Sequence, residues 1–343
     1  MAHNLYLNFN ENNNGEGERG ATTETTLTPL DEVTRSKAFK ELNEDTKDRL
    51  EAVECLRSWI NTQPAYKYTK FLISFLRARK FSQSGSRDLL KRHLMMKTKM
   101  RGWFENVDPC EAGLLAVLKD GFAHPLSKRS PDGCLIVMFN YGKLRPWCGR
   151  YTKQDILRAI VCVTYFIFFL NELTQINGVY IVNDLSNMTF KHQTLFSLEE
   201  QRLFYGGWHK SIPARIKKIC LYNVGSFGDF FFMILKMVTP DKLMHRIINC
   251  GSSLEDLSKE IPEECLPVEY KTVGNAEKND STTSDNIGYK IFMMNDAESM
   301  LEEMMKPEVR SRIMYLSDPQ FHMDANKLSS PSVAESFRKF IAD

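Results

Sequence analysis

From residue 44 onward, apolar positions recur at helical spacing. Leu50, Val53, Leu56 and Ile60 lie three or four apart, and Asn61-Thr-Gln-Pro64 closes the segment. TKFLISFLRARKF predicts a second helix, and a third runs from about Ser82 to Trp103 with Leu89, Leu90, His93, Leu94 and Met96 inward. Three such helices make a small N-terminal bundle. After about Leu118 the texture changes. Short apolar runs at 134–140, 178–182, 216–223 and 246–250 read as strands, separated by helices at 152–173, 198–210 and 227–238. Strands joined by helices of this length imply right-handed crossovers and a mostly parallel sheet, hence an α/β domain.

The ends read differently. Residues 1–40 are rich in Asn, Glu, Gly and Thr, too polar to offset the cost of ordering, and are expected as a disordered arm. Residues 271–343 form a C-terminal tail, expected to be partly disordered. It opens with the polar segment NAEKNDSTTSDN and continues as a Met-rich amphipathic piece at 297–316. Between these ends, 44–110 is expected as the helical region and 115–270 as the α/β domain.

Two helices carry unusual apolar surface. The run AIVCVTYFIFFL at 159–170 is short of the roughly 20 residues that cross a bilayer, so a buried helix is expected and no transmembrane segment. The helix at 227–238 has only Asp229 and Lys236 as charges. Either it is an ordinary core helix or something apolar rests against its second face. Together the two present more apolar surface than one sheet covers, and a bound lipid would fill the difference. Enclosing about 500 Å² of apolar ligand yields roughly 12 kcal/mol of gross driving force before the costs of association.

Composition narrows the partners. With 45 Lys and Arg against 43 Asp and Glu, no global field draws this chain to nucleic acid. A local basic group exists nonetheless at Arg215, Lys217, Lys218, Lys242 and Arg246: a solvated charged edge, or an attraction for anionic headgroups of about 1 kcal/mol per charge. The eight cysteines form no CxxC pair and the first residues lack a secretory pattern, which predicts free thiols and a cytoplasmic protein.

Catalytic signatures are missing. The match Gly15-Glu-Gly17-Glu-Arg-Gly20 lies in the polar arm, where no strand feeds a helix. No phosphate loop, nucleophile elbow or HExxH pair occurs, and no histidines stand at metal-ligand spacing. Asp184, at the end of a predicted strand, has no companion nucleophile or base and reads as a loop-orienting residue. No enzyme activity, cofactor or metal is therefore expected.

The run Phe71-Leu-Ile-Ser-Phe-Leu-Arg-Ala-Arg-Lys-Phe81 resembles the signature of the helical N-terminal region of CRAL-TRIO proteins, and Trp103 to Pro109 resembles the linker of insect-type members related to α-tocopherol transfer protein and cellular retinaldehyde-binding protein. Gln175-Ile-Asn-Gly178 with Asp184, Ile212-Pro-Ala-Arg-Ile-Lys217, and the stretch from Gly251 to Tyr270 resemble the lipid-binding domain of that family. The resemblance covers roughly residues 45–270.

It implies a cytosolic lipid carrier, transiently associated with membranes as a peripheral protein, whose pocket is closed by a mobile gate helix at 227–238. The implied pocket residues are Leu157, Ile160, Thr164, Val179, Phe204, Trp208, Ile212, Ile219, Phe231 and Ile234. The positions matching the phosphoinositide cleft of some relatives are Arg79, Arg215, Lys217, Lys242 and Arg246, all basic here. Arginine suits phosphate through paired donors. The expected partners are thus a hydrophobic tocopherol-, retinoid- or phospholipid-like ligand and phosphoinositide-containing membranes. The alternative is a phosphoinositide-reading module without net lipid transport. Two departures stand out: Tyr270 is followed by Lys271-Thr-Val-Gly instead of a Gly pair, and Asn183 occupies a strand position that is commonly aromatic or aliphatic.

Overall fold

In the computed structural model, residues 27, 29–60, 68–225, 232–233, 235–237, 239, 241–267, 270 and 296–321 are described. Helices α1 (Glu32–Leu42), α2 (Arg49–Trp59), α3 (Thr69–Ala78) and α4 (Gln83–Lys99) precede the sheet. Part of the stretch expected as a flexible arm is thus helical. Asp31 caps α1 by accepting from the Thr34 amide at 2.8 Å, and Ala38 and Leu42, four apart, bury themselves against Ile176. The third predicted helix breaks at Met100 and resumes as α5 (Arg101–Phe104), followed by α6 (Ala112–Lys119).

A buried ionic cluster fastens α3 to the later part of the chain. Arg77 is wholly buried, and its guanidinium donates to both oxygens of Glu44 at 2.9 and 2.8 Å, to Glu172 at 3.2 Å and to the Gln175 carbonyl oxygen at 2.7 Å. Glu172 and Gln175 belong to α8 (Glu172–Asn177), which leads into the sheet. The Gln175 amide nitrogen donates to the carbonyls of Phe168 and Phe169, at 3.0 and 3.2 Å. Gly178 then turns the chain with a φ of +89°, where a Cβ would stand 2.6 Å from the Arg215 carbonyl oxygen.

Among the described residues the sheet holds five strands in the order β1 (Ala123–Pro125), β2 (Leu135–Asn140), β3 (Val179–Asp184), β4 (Ile216–Tyr222) and β5 (Ile247–Asn249). β1 is antiparallel to β2, and the other pairs are parallel, as the mostly parallel expectation requires. β1 escaped the hydrophobic pattern because three residues ending in proline show no period, and an edge strand tolerates the missing donor. Strand alternation divides the sheet. Ile136, Met138, Val182, Cys220 and Tyr222 pack on the back against Leu257, Ile261, Cys265, Leu266 and Tyr270. Asp184 belongs to that back layer: it accepts from the Ser186 amide at 2.8 Å, from Asn140 at 3.2 Å and from the Tyr270 hydroxyl, and so orients loops. The front face meets α7 (Lys153–Thr164) and its continuation Tyr165–Phe169, a π-helical turn. The long helix expected over 152–173 ends there because Asn171 caps α8 through the Thr174 amide at 3.0 Å.

The Met-rich piece of the tail is structured. Residues 296–305 and Pro307–Leu316 are helical, and Met300, Met304, Val309, Ile313 and Leu316 enter the main core. Lys97 donates to the Leu316 carbonyl oxygen at 2.5 Å, and Arg310 forks onto Asp108 at 2.9 and 2.7 Å. All eight cysteines are free.

Replacing Arg77 by Met leaves the buried Glu44 and Glu172 with only the longer pairs to Arg49 and Lys70, at 3.6 and 3.7 Å, so urea denaturation should reveal a loss of about 3 kcal/mol; an unchanged midpoint would refute the cluster's role. Burial holds His124 down to about 4 and His93 well below its usual value. Between pH 6.5 and about 4 the unfolded chain binds more protons than the folded one, so stability falls as pH falls. His124 alone contributes roughly 3 kcal/mol to that loss. Denaturation at pH 7 and pH 4.5 should show it, and His124→Leu should reduce it while His93 keeps its share.

Candidate functional site

The front of the sheet borders a hollow. Val137 and Phe139 of β2, Ile181 and Asn183 of β3, Ile219 and Leu221 of β4 and Ile247 of β5 face a cavity with ≈ 1050 Å³ of empty space, counting its open mouth. Period-two alternation places all of them on one face. The opposite wall comes from Ile160, Val163 and Thr164 of α7, Ile167 and Phe168 of the π turn, and Phe204 and Trp208. Phe204 sits in a second π-helical turn, Leu203–Gly207. Such turns rotate side chains out of the α-helical ridge, and both occur where helix meets cavity. Leu235, Thr239 and Leu243 also line it. A neighbouring hollow of ≈ 740 Å³ shares Tyr141, Phe204 and Leu235 with it.

Of the pocket residues anticipated from the resemblance, Ile160, Thr164, Phe204, Trp208 and Ile219 line this cavity, and Leu157 lines the neighbouring hollow. Val179 is fully buried at the start of β3, between Leu135 and Ile216, below the cavity floor. Ile212 belongs to the wall of a separate cleft. Phe231 and Ile234, with most of the gate segment 227–238, lie outside the described residues. The strand residues Phe139, Ile181, Leu221 and Ile247 were not anticipated, although alternation from Ile219 would have found Leu221.

The cleft brings the five anticipated cations together. Arg79, Arg215, Lys217, Lys242 and Arg246 all line it, joined by Lys80, Lys91, Arg92 and Lys210, with Asp88 as the acidic residue in its wall. Its empty volume is ≈ 2260 Å³, including open solvent. Local structure explains the gathering. The β3–β4 register passes from Ile216 to Lys218 across one step of β3, so Lys217 is the extra residue of a bulge. The bulge leaves Ile216 facing the cavity and sends Lys218 to the back, where it pairs with Glu260 at 2.8 Å. Lys218 therefore leaves the basic group that composition suggested. On the next segment, Lys242 and Arg246 border the cleft while their neighbours Leu243 and Ile247 border the cavity.

Two of the cations are partly compensated: Arg215 pairs with Glu41 at 3.0 Å and Lys217 with Asp132 at 3.3 Å. Arg79 and Lys242 form no ion pair among the described residues. Burial and then the adjacent Arg92 push the Arg79 guanidinium below its ordinary value. Cavity and cleft share a wall made of His209, Ala214 and Ile216. Burial, followed by Arg246, Arg79, Lys242 and Lys210, lowers His209 to about 4, so the ring is neutral at physiological pH. The arrangement can enclose an apolar body and hold an anionic group beside it. Among the described residues no His, Cys, Asp and Glu cluster could hold a metal ion, and no helix is long and apolar enough to cross a membrane.

Residues 119–271 match the model of the CRAL/TRIO domain. Over 310 residues the chain is 26% identical to clavesin-1 of Xenopus laevis, covering 84% of this chain and 92% of that one. It is 27% identical over 277 residues to an alpha-tocopherol transfer protein-like protein of Mus musculus, covering 79% and 77%. The crystal structure of Sfh5 aligns over 80% of this chain and all of that one, at 10% identity and a TM-score of 0.44.

Burial is the main cause that holds His209 down, and an anion in the cleft would offset only the second, the surrounding cations. Titration of its ring by NMR with inositol polyphosphate present should therefore give a value above about 4, still held below 6.5 by burial. No movement would mean that the cleft does not bind the phosphate.

Proposed function

We propose that this chain, whose residues 119–271 match the CRAL/TRIO domain, encloses one hydrophobic molecule in the front cavity and exchanges it at membranes. Phosphoinositide headgroups dock in the basic cleft during that exchange. The observation that carries the reading is the shared wall of His209, Ala214 and Ile216, which sets an apolar hollow directly beside a cluster of cations. Apolar walls supply the driving force for a water-insoluble body. Cations at the rim add about 1 kcal/mol each toward an anionic membrane surface and select phosphate through charge-assisted hydrogen bonds. The protein then works in the cytoplasm and meets membranes only transiently. A carrier needs no bond-making chemistry.

The second reading, a phosphoinositide-binding module without net transport, draws on the same cleft and separates from the first by mutation. Arg79→Glu with Lys242→Glu alters cations that form no described ion pair, so the fold should survive. Binding to vesicles containing phosphatidylinositol bisphosphate should fall at least about ten-fold on losing two charge-assisted contacts. Ile219→Trp should fill the cavity, abolish transfer of fluorescent tocopherol, retinoid or phospholipid between vesicles, and spare vesicle binding. A wild-type protein that moves none of these lipids and releases no apolar molecule on extraction would overturn the carrier reading and leave the module.

A further inference from the structure

The cavity is apolar except at a few positions, and two of these, Asn183 and Thr239, have side chains without a hydrogen-bond partner among the described residues. Asn183 stands in a row across the sheet between Phe139 and Leu221, both of which line the same hollow. Its side-chain amide makes no hydrogen bond to any described residue, in contrast to Asp184 on the opposite face, whose carboxylate is fully engaged. Ile181 and Asn183 are only half-buried within a central strand because they face the hollow. Thr239 also lines the cavity. It is 6% exposed, and its hydroxyl is buried with no partner among the described residues. Thr164 lines the same cavity on the α7 wall.

A purely hydrocarbon cargo would seal these groups from water without replacing their hydrogen bonds, which disfavours it. A cargo with one matching polar group would satisfy them. The amide of Asn183 offers both a donor and an acceptor, as does a hydroxyl, so a single alcohol can pair with it in both senses. A carboxylate is a poor match there, because Phe139, Ile181 and Leu221 surround the amide and an ion would be desolvated without a counter-charge.

We propose that the cavity is specific for a lipid ending in one uncharged hydroxyl, and that Asn183 is the residue that selects it, assisted by Thr239. This rests on the carrier reading of the same cavity. The site rejects lipids lacking the hydroxyl more strongly than an apolar pocket rejects an extra methylene, since buried polar groups left unpaired penalise the wrong ligand.

The test uses the full chain, stripped of lipid and loaded with the apolar fluorophore diphenylhexatriene, and compares displacement by hexadecanol and by its methyl ether. The native protein should prefer the alcohol by about ten-fold. Asn183→Leu should abolish that preference by weakening the alcohol alone, and Thr239→Val, nearly isosteric, should reduce it by a few-fold. A preference that survives Asn183→Leu, or a native protein that treats the two lipids alike, overturns the assignment while the carrier reading stands. Displacement by neither overturns both.

Discussion

The burial of one arginine decides where the helical and α/β parts of this protein meet. Arg77 has no access to water, and a guanidinium can occupy such a place only if its donors are matched. Glu44 comes from the segment before α2, and Glu172 and Gln175 come from α8 immediately before β3, so the cluster ties three distant pieces of chain at one point. Lys70 and Arg49 stand at its edge, 3.7 Å from Glu172 and 3.6 Å from Glu44. Because Arg77 is fixed there, Arg79, two residues on at the end of α3, is carried into the cleft beside Arg92. Two arginines in one LRAR run thus do opposite work. One is neutralised to join two parts of the fold, and the other keeps its charge available at the surface.

The second constraint is the asymmetry of the sheet. Its strands run in sequence order, so successive right-handed crossovers fall on the same side and leave the other face to a single later layer. The back closes tightly, with Asp184 and Tyr270 joined across it. The front is covered by helices that include two π-helical turns, and a hollow remains between them and β2 to β5. The bulge at Lys217 lies where this face meets the cationic cleft and allows one strand to serve both. A hydrophobic wall and a charged wall are therefore products of the same few residues. Changes in one are expected to be felt in the other through His209, Ala214 and Ile216.

Much of this was legible in the order of residues. Helical spacing gave α2 to α4, and apolar runs gave β2 to β5. These features are local, set by periodicities of 3.6 and 2 that each segment carries within itself. The resemblance of several motifs in order then placed the five cations that the cleft assembles. What escaped depends on partners far along the chain. α1 is held by Ile176, β1 exists only as an edge for β2, and the Met-rich helices near the end of the chain are stabilised by a core built more than a hundred residues earlier. Ile212 and Val179 are as apolar as the residues that line the hollow. Whether each faces the hollow, the cleft or solid packing is set by how helices and strands stack, and no segment contains that information alone. The sequence by itself determined the elements and the kinds of surface they offer. Only the tertiary structure decided which surfaces meet and which enclose empty space, because a cavity exists between segments and belongs to none of them.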